Sequence, residues 1–201
     1  MSSELPVNPE ALREEVKSKY REVASNPHAE FHFHTGRRAA KRLGYDPEVV
    51  DPLPDAAVES FAGVANPFSL GRLQPGERVL DLGSGAGTDS LVAAQMVGEN
   101  GSVIGIDMTP EMLGKARAAA NQMKMGNAEF VEGEVERLPF PDTSFDTVIS
   151  NGVIDLVPDK EAVFSEIHRV LVPGGRIQIA DVTIQNPVSE EGRRNIDLWT
   201  G

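Results

Sequence analysis

Val79-Leu-Asp-Leu-Gly-Ser-Gly-Ala-Gly-Thr-Asp89 reads as a short apolar strand that breaks into glycines at alternate positions and passes at once into a helix. At Gly83, Gly85 and Gly87 the absence of a Cβ permits positive φ and lets backbone approach a ligand closely. The helix that follows presents free N–H groups and the positive end of its dipole, which suit an anionic group such as a ligand carboxylate. Asp107 stands 20 residues past the last glycine, at the end of the apolar stretch Ser102-Val-Ile-Gly-Ile-Asp107. A carboxylate at the tip of the next strand suits paired ribose hydroxyls. Together the two stretches predict a pocket for a nucleoside.

The glycine run narrows which nucleoside. The dinucleotide pattern G-x-G-x-x-G requires glycine at position 88 counted from Gly83, or at 90 counted from Gly85, and Thr88 and Ser90 stand there. Nor is Tyr20 or Tyr45 followed four residues later by the lysine a short-chain dehydrogenase requires. A dehydrogenase is therefore the poorest fit. Asp81, two residues ahead of Gly83, gives the form D-x-G-x-G-x-G. That form resembles the first motif of class I S-adenosylmethionine-dependent methyltransferases, whose cofactor carries an ammonium, a carboxylate and a sulfonium but no phosphate.

Composition bounds the alternatives. The 201 residues, 40% hydrophobic and 25% charged, suit one globular domain with a sizeable core. The net charge is −12 and no basic cluster exceeds the pairs Arg37-Arg38 and Arg193-Arg194, so a groove for nucleic acid has nothing to build itself from. The chain has no cysteine, which excludes disulfides, thiolate nucleophiles and cysteine-ligated metal. No signal-like segment opens it and no stretch approaches the roughly 18 apolar residues of a membrane span. The expectation is a cytoplasmic protein with no nucleic-acid or membrane partner, and Asn100-Gly101-Ser102 reads as a turn.

Along the chain, Asn8-Pro9 predicts the start of a helix with Leu12, Val16, Tyr20 and Val23 on one face, stopped at Asn26-Pro27. Residues 28–76, with five prolines, predict short helices and loops, so that 1–76 forms an N-terminal helical cap on a core at 77–201, one domain in all. From residue 77 the pattern alternates: strand 78–82, helix 87–97, strand 102–107, helix 110–124, strand 128–132, strand 145–150, helix 159–171 and strand 175–183, with Pro173-Gly174-Gly175 ending the last helix. Handed crossovers then give a Rossmann-like, doubly wound parallel sheet of order 3-2-1-4-5, its ligand crevice at the tips of strands 1 and 4. An antiparallel hairpin after the fifth strand, usual in class I methyltransferases, has only 18 residues left after Thr183 in which to form. It is expected to be absent, leaving the fifth strand as a sheet edge, and a truncated chain is the expectation.

Four blocks carry the resemblance to class I methyltransferases: Val79 to Asp89, Val103 to Met108, Glu132 to Phe140, and Phe145 to Asn151 with Arg169 to Gly175. The resemblance implies that Gly83, Ser84, Gly85 and Gly87 form the loop at the methionine end, that Asp81 orders its ammonium and that Asn151 adds backbone contacts. It implies also that Asp107 holds the ribose, that Met108 packs on adenine and that Glu134 with Val135 meets the adenine amino edge. Each has a plainer alternative, Met108 as core, Glu134 as a solvated loop acid and Asp107 as a helix cap.

Within the class, Gly105 to Met112, Ile149 to Lys160 and the segment Gly63-Val-Ala-Asn-Pro67 are similar to arsenite methyltransferases. That family binds trivalent arsenic through cysteine thiolates, and this chain has Val64 and Gly152 at two of the matching places, while a third lies past Gly201. A soft metalloid needs soft ligands, so the family's arsenic site is not expected to operate in this chain. The resemblance thus implies methyl transfer to a small-molecule acceptor. Alternatives are a carbon or oxygen methyltransferase of quinone-like or polyketide-like acceptors, and a non-catalytic S-adenosylmethionine-binding regulator.

Methyl transfer from a sulfonium is an in-line displacement with an activated leaving group, so alignment and desolvation can carry it without an obligatory base. Candidate acceptor contacts are His34, Tyr45 and Asn66. His28, His32 and His34 match no standard metal spacing, so no metal is expected. Asp155 and Asp181 fall near the crevice, where either may as well cap a helix or bind a loop amide, and His168 reads as structural. Residues 9–45 are expected to form a lid carrying His34 and Tyr45.

Overall fold

The structure, a computed structural model, describes residues 7–185 apart from positions 28, 30, 32 and 33, together with 188 and 189. Helix α1, Pro9–Ser25, begins where the Asn8 side chain accepts the Ala11 N–H at 2.9 Å and Pro9 takes the first helical position. It buries Leu12, Val16, Val23 and Ala24 and stops at Asn26. Short helices α2 (Gly36–Arg42), α3 (Pro47–Val50) and α4 (Asp55–Val58) and a 3₁₀ turn at Pro67–Leu70 follow.

The core alternates β1 (Arg78–Leu82), α5 (Thr88–Val97), β2 (Ser102–Asp107), α6 (Pro110–Met123), β3 (Ala128–Glu132), β4 (Phe145–Asn151), α7 (Lys160–Val170) and β5 (Leu171–Ala180). All pairings are parallel and the order is β3-β2-β1-β4-β5, as the alternation predicts. In α5 all residues but Gln95 and Met96 are buried, because the helix lies between the sheet and the N-terminal helices. On that face Tyr45, Leu53, Val58 and Phe61 share a core with Leu91, Leu113 and Phe130. On the other face Val163, Ile167 and Val170 of α7 pack on Leu80, Leu82 and Val148. The segment after α4 is further tied down by Thr88 Oγ1, which donates to the Ala57 carbonyl at 2.8 Å, and by Lys115, paired with Glu59 at 2.9 Å.

One boundary differs from expectation. Pro173-Gly174-Gly175 does not end α7; Leu171 already adopts extended backbone and begins β5. The register against β4 jumps from Phe145↔Leu171 to Thr147↔Arg176, so the Pro-Gly-Gly run is a bulge inside the strand, with Gly174 at φ 82°. The strand also stops at Ala180 rather than 183.

Candidate functional site

Register places the site. Leu82 of β1 lies level with Ile106 of β2 and with Ser150 of β4. The next residue of each strand, Gly83, Asp107 and Asn151, therefore emerges at one edge of the sheet, where an α/β fold leaves its crevice.

The three glycines serve different ends. Gly83 has φ 64°, and a Cβ there would come within 2.7 Å of Val153 Cγ1. Gly87, at φ 89°, turns the chain into α5, and its Cβ would sit 3.0 Å from both Ala116 Cβ and Phe130 Cζ. At Gly85, φ 52°, a Cβ would meet nothing within 4 Å, because that side of the loop faces open space. The loop is held down by the Ser84 N–H, which donates to the Ile106 carbonyl at 3.0 Å. Asp107 clamps it from β2: Oδ2 accepts the Gly85 N–H at 2.9 Å and Oδ1 the Thr109 N–H at 2.8 Å. Burial holds the Asp107 carboxyl above its ordinary range, against the opposing effect of those N–H groups.

Over this edge opens a cavity of about 1010 Å³, counting its mouth. Asp81, Gly83, Ser84 and Gly85 line its floor, Asp107 and Met108 one side, Glu134 and Val135 the next, and Asn151 the end toward β4. Of the expected cofactor residues only Gly87 stays out of the wall, being required by packing against α6 and β3. Sequence reasoning expected a lid from residues 9–45 but did not single out the side chains by which it covers the cavity. Arg13, Val16 and Tyr20 of α1 line it, as do Phe61 to Gly63 and Gly152 to Val153. In the sequence Val16 and Tyr20 are indistinguishable from a helix's core stripe, and Arg13 beside them carries no local signal. Its guanidinium bonds Glu136 at 2.9 Å and lies 3.9 Å from Glu134, while its Nε is buried without a hydrogen-bond partner.

The floor is acidic. Asp81 is 2% exposed and accepts the Ser90 hydroxyl at 2.5 Å. Asp89, also buried, accepts the Tyr45 hydroxyl at 2.6 Å and the Asn151 amide at 2.9 Å. Burial, then the charge of Asp89, pushes the Asp81 carboxyl well above the usual carboxylate range, and burial lifts Asp89 to about 6 against its two hydrogen bonds. Among the described residues neither carboxyl pairs with a lysine or arginine. Ser84 Oγ, in the same floor, is buried without a hydrogen-bond partner. Two buried acids with no cation, beside an unused hydroxyl, call for a ligand that brings its own cation and its own acceptor.

The three expected acceptor contacts, His34, Tyr45 and Asn66, do not line this cavity. Tyr45 is 5% exposed, edge-on to Phe61 and Phe68, with its hydroxyl donated to Asp89 from behind the floor. Burial first, and the adjacent Asp89 next, raise its pKa. The Asn66 side chain caps the 3₁₀ turn through Phe68 N–H at 3.0 Å and donates to the Gly44 carbonyl at 3.1 Å. His34 is exposed and contacts Arg42 at 2.5 Å. The expected lid thus reaches the cavity through α1 instead of through His34 and Tyr45. His28 and His32 lie outside the described residues. Among the described residues no group of three or more His, Asp or Glu is arranged to hold a metal ion.

Asp181 Oδ2 accepts the Ile154 N–H at 2.9 Å. Beside it Asp155 is raised to about 7 by burial first and by Asp181 next. Val64 and Gly152, at the places of the arsenite family's cysteines, are neighbours in space: a Cβ at Gly152 would lie 3.1 Å from Val64 Cγ1.

Comparison with known proteins agrees with this geometry. The sequence model of the methyltransferase domain family matches residues 73–199. An arsenite methyltransferase from Halobacterium salinarum is 46% identical over 167 residues, which make up 83% of this chain and 42% of that protein. The crystal structure of an arsenic(III) S-adenosylmethionine methyltransferase from Chlamydomonas reinhardtii matches with a TM-score of 0.69 at 42% identity, covering 75% of this chain and 53% of its own. A demethylmenaquinone methyltransferase from Listeria welshimeri is 37% identical over 119 residues, 59% of this chain and 50% of that protein. The chain spans about two fifths of the length of the Halobacterium relative and half that of the Listeria one. No described helix is long and apolar enough to cross a membrane.

Proposed function

This chain belongs to the methyltransferase domain family, and on that premise we propose that it transfers a methyl group from S-adenosylmethionine to a small-molecule acceptor, leaving S-adenosylhomocysteine. The observation that carries the reading is the cation-free pair of buried carboxyls, Asp81 and Asp89, in the floor of a cavity rimmed by the glycine loop. They suit the ammonium of the cofactor's methionine end, and the buried hydroxyl of Ser84 suits its carboxylate. Asp107, at the tip of β2, is assigned to the ribose hydroxyls. Met108 and Val135 offer apolar surface for adenine, with Glu134 at its amino edge. Gly85 leaves room for the bound molecule, and Asn151 closes the far end. Arg13, Val16 and Tyr20 cover the site from α1, so that residues 1–76 act as a cap on the core at 77–201.

The bound cofactor supplies an electrophilic methyl group on a sulfonium. This chain's residues then have to align the acceptor with that methyl group and exclude water, which Phe61, Ala62, Val153 and Val157 suit by their apolar surface. The acceptor stays a small molecule in this reading, not nucleic acid, given the net charge of −12. A cytoplasmic location goes with it. Trivalent arsenic is not held by the residues of this chain, because Val64 and Gly152 bring no soft ligand. The lack of a soft ligand at these two places favours, as a second reading, a carbon or oxygen acceptor of quinone-like or polyketide-like character. Calorimetry with S-adenosylhomocysteine and with NAD tests the cofactor. Binding of the first in the micromolar range with none of the second is expected, and the reverse refutes the reading. Formation of S-adenosylhomocysteine across a screen of thiols, arsenite, quinols and phenols separates an enzyme from a non-catalytic binder and names the acceptor class.

A further inference from the structure

Asn151 ends β4, and its side chain has five polar partners in two directions, the two N–H groups of Nδ2 being shared among three acceptors. Toward the cofactor floor, Nδ2 donates to Asp89 Oδ2 at 2.9 Å and to the Tyr45 hydroxyl at 3.0 Å. Toward the opposite wall, Oδ1 accepts the Val64 N–H at 2.9 Å and the Ala65 N–H at 3.2 Å, and Nδ2 donates to the Ala65 carbonyl at 2.9 Å. Residues 63–65 belong to no helix or strand, so the Asn151 amide takes the place of the ladder that would otherwise hold them. Gly63 permits this approach, since a Cβ there would fall 2.8 Å from Asn151 Cγ. Asp89 and Gly63 both line the cavity, and a single side chain joins them. The Tyr45 hydroxyl completes the unit by donating to the other Asp89 oxygen, so that the carboxylate is gripped on both sides and cannot shift without moving the amide.

We propose that the Asn151 side chain is a positioning residue that couples occupancy of the cofactor floor to the placement of segment 63–65, which begins with Gly63 of the cavity wall and continues the Phe61 and Ala62 surface offered to the acceptor. A cation arriving at Asp89 fixes that carboxylate, the carboxylate fixes the Asn151 amide, and the amide fixes the Val64 and Ala65 backbone. Cofactor binding therefore precedes and orders the acceptor wall. The proposal rests on the cofactor reading above for the nature of that cation.

The two amides that donate to Asn151 are themselves the reporters. Hydrogen exchange on the full chain is followed at Val64, Ala65 and Leu80, the last lying in the buried centre of β1, with and without saturating S-adenosylhomocysteine. In the natural protein the ligand is expected to slow Val64 and Ala65 by about tenfold, the scale of one hydrogen bond stabilised or lost, while Leu80 stays slow throughout. Asn151→Asp keeps an oxygen for both amides but loses the donors to Asp89 and Tyr45. Val64 and Ala65 should then stay protected and stop responding to the ligand. Asn151→Ala should free them in both conditions. A merely structural role would leave the ligand response of Asn151→Asp intact. Equal responses in the natural protein and Asn151→Asp overturn the coupling, as do unresponsive amides when calorimetry shows the ligand bound. Calorimetric failure to bind overturns the cofactor reading and the coupling with it.

Discussion

The buried acids make cofactor affinity depend on pH with a definite sign. Asp89 is raised to about 6 by burial, and it is the charged form that attracts an ammonium. A proton on Asp89 therefore competes with the ligand. If binding requires the carboxylate, the apparent dissociation constant rises as one plus the ratio of protonated to ionised Asp89, a penalty of about tenfold at pH 5 and only about a tenth at pH 7. Asp81, likewise raised, by burial first and then by the charge of Asp89, adds to the loss in the same direction. Affinity thus falls as pH falls toward and below 6. The same shift acts on the fold with the opposite sense. The folded chain keeps the Asp89 proton up to about 6 whereas an unfolded chain releases it near 3.8, so stability from this group is greatest at low pH and falls as pH rises through that window, by about 3 kcal/mol in full. The assay is titration calorimetry of S-adenosylhomocysteine at pH 5, 6 and 7 in constant salt, on the natural protein and on Asp89→Asn. The natural protein should lose about tenfold or more in affinity between pH 7 and pH 5, and the variant should lose less while binding more weakly at pH 7. An affinity flat across this range in the natural protein would refute the assignment of the ammonium to this floor.

Three further outcomes are expected. Asp107→Ala should weaken S-adenosylhomocysteine binding by roughly 1.5 to 3 kcal/mol, the scale for hydrogen bonds to a charged group; calorimetry on a variant shown to be folded decides it, and unchanged affinity removes the ribose role. Gly85→Val and Gly87→Val should part company. Both force valine into positive φ, 52° and 89°, and the first adds loss of ligand binding, since its side chain enters the open cavity. The second costs mainly thermal stability, since its Cβ meets Ala116 and Phe130 at 3.0 Å; equal melting temperatures for the two would contradict this division. Incubation of the 201-residue chain with arsenite and S-adenosylmethionine, without added thiol, should give no methylated arsenic by mass spectrometry, and its appearance would show that ligands other than thiolate suffice.

The strands β1, β2 and β3 fall where the apolar runs and their turn residues place them, because β1 and β2 are largely buried, β3 buries Phe130 at the sheet edge, and each is bounded by glycine or polar residues that cannot continue it. The pocket floor was legible for a related reason. Its residues sit at strand tips, and in a parallel sheet of known order every tip arrives at the same edge. β5 was misjudged because Pro173-Gly174-Gly175 carries the signature of a helix stop, and only pairing with β4 shows it to be a bulge. His34, Tyr45 and Asn66 lie off the cavity wall for a deeper reason. They lie in a segment of short helices and turns whose path is set by the surface it covers, and no period in the sequence records that surface.

What the sequence determined by itself is therefore the part with local causes: the alternation of strands and helices, the glycine loop, the carboxylate after β2 and the lack of any thiol. What only the tertiary structure decided is which distant groups share one low-dielectric space. It set Asp81 beside Asp89 with no cation between them, turned Tyr45 inward as a donor to that pair, brought Arg13 and Tyr20 of α1 over the opening, and hung residues 63–65 on the Asn151 amide. Tyr45 meets Asp89 across 44 positions of chain and Val64 meets Asn151 across 87, and burial gives these contacts their strength. A charge or an amide removed from water interacts with what is packed next to it, and the choice of neighbour is made by the fold as a whole.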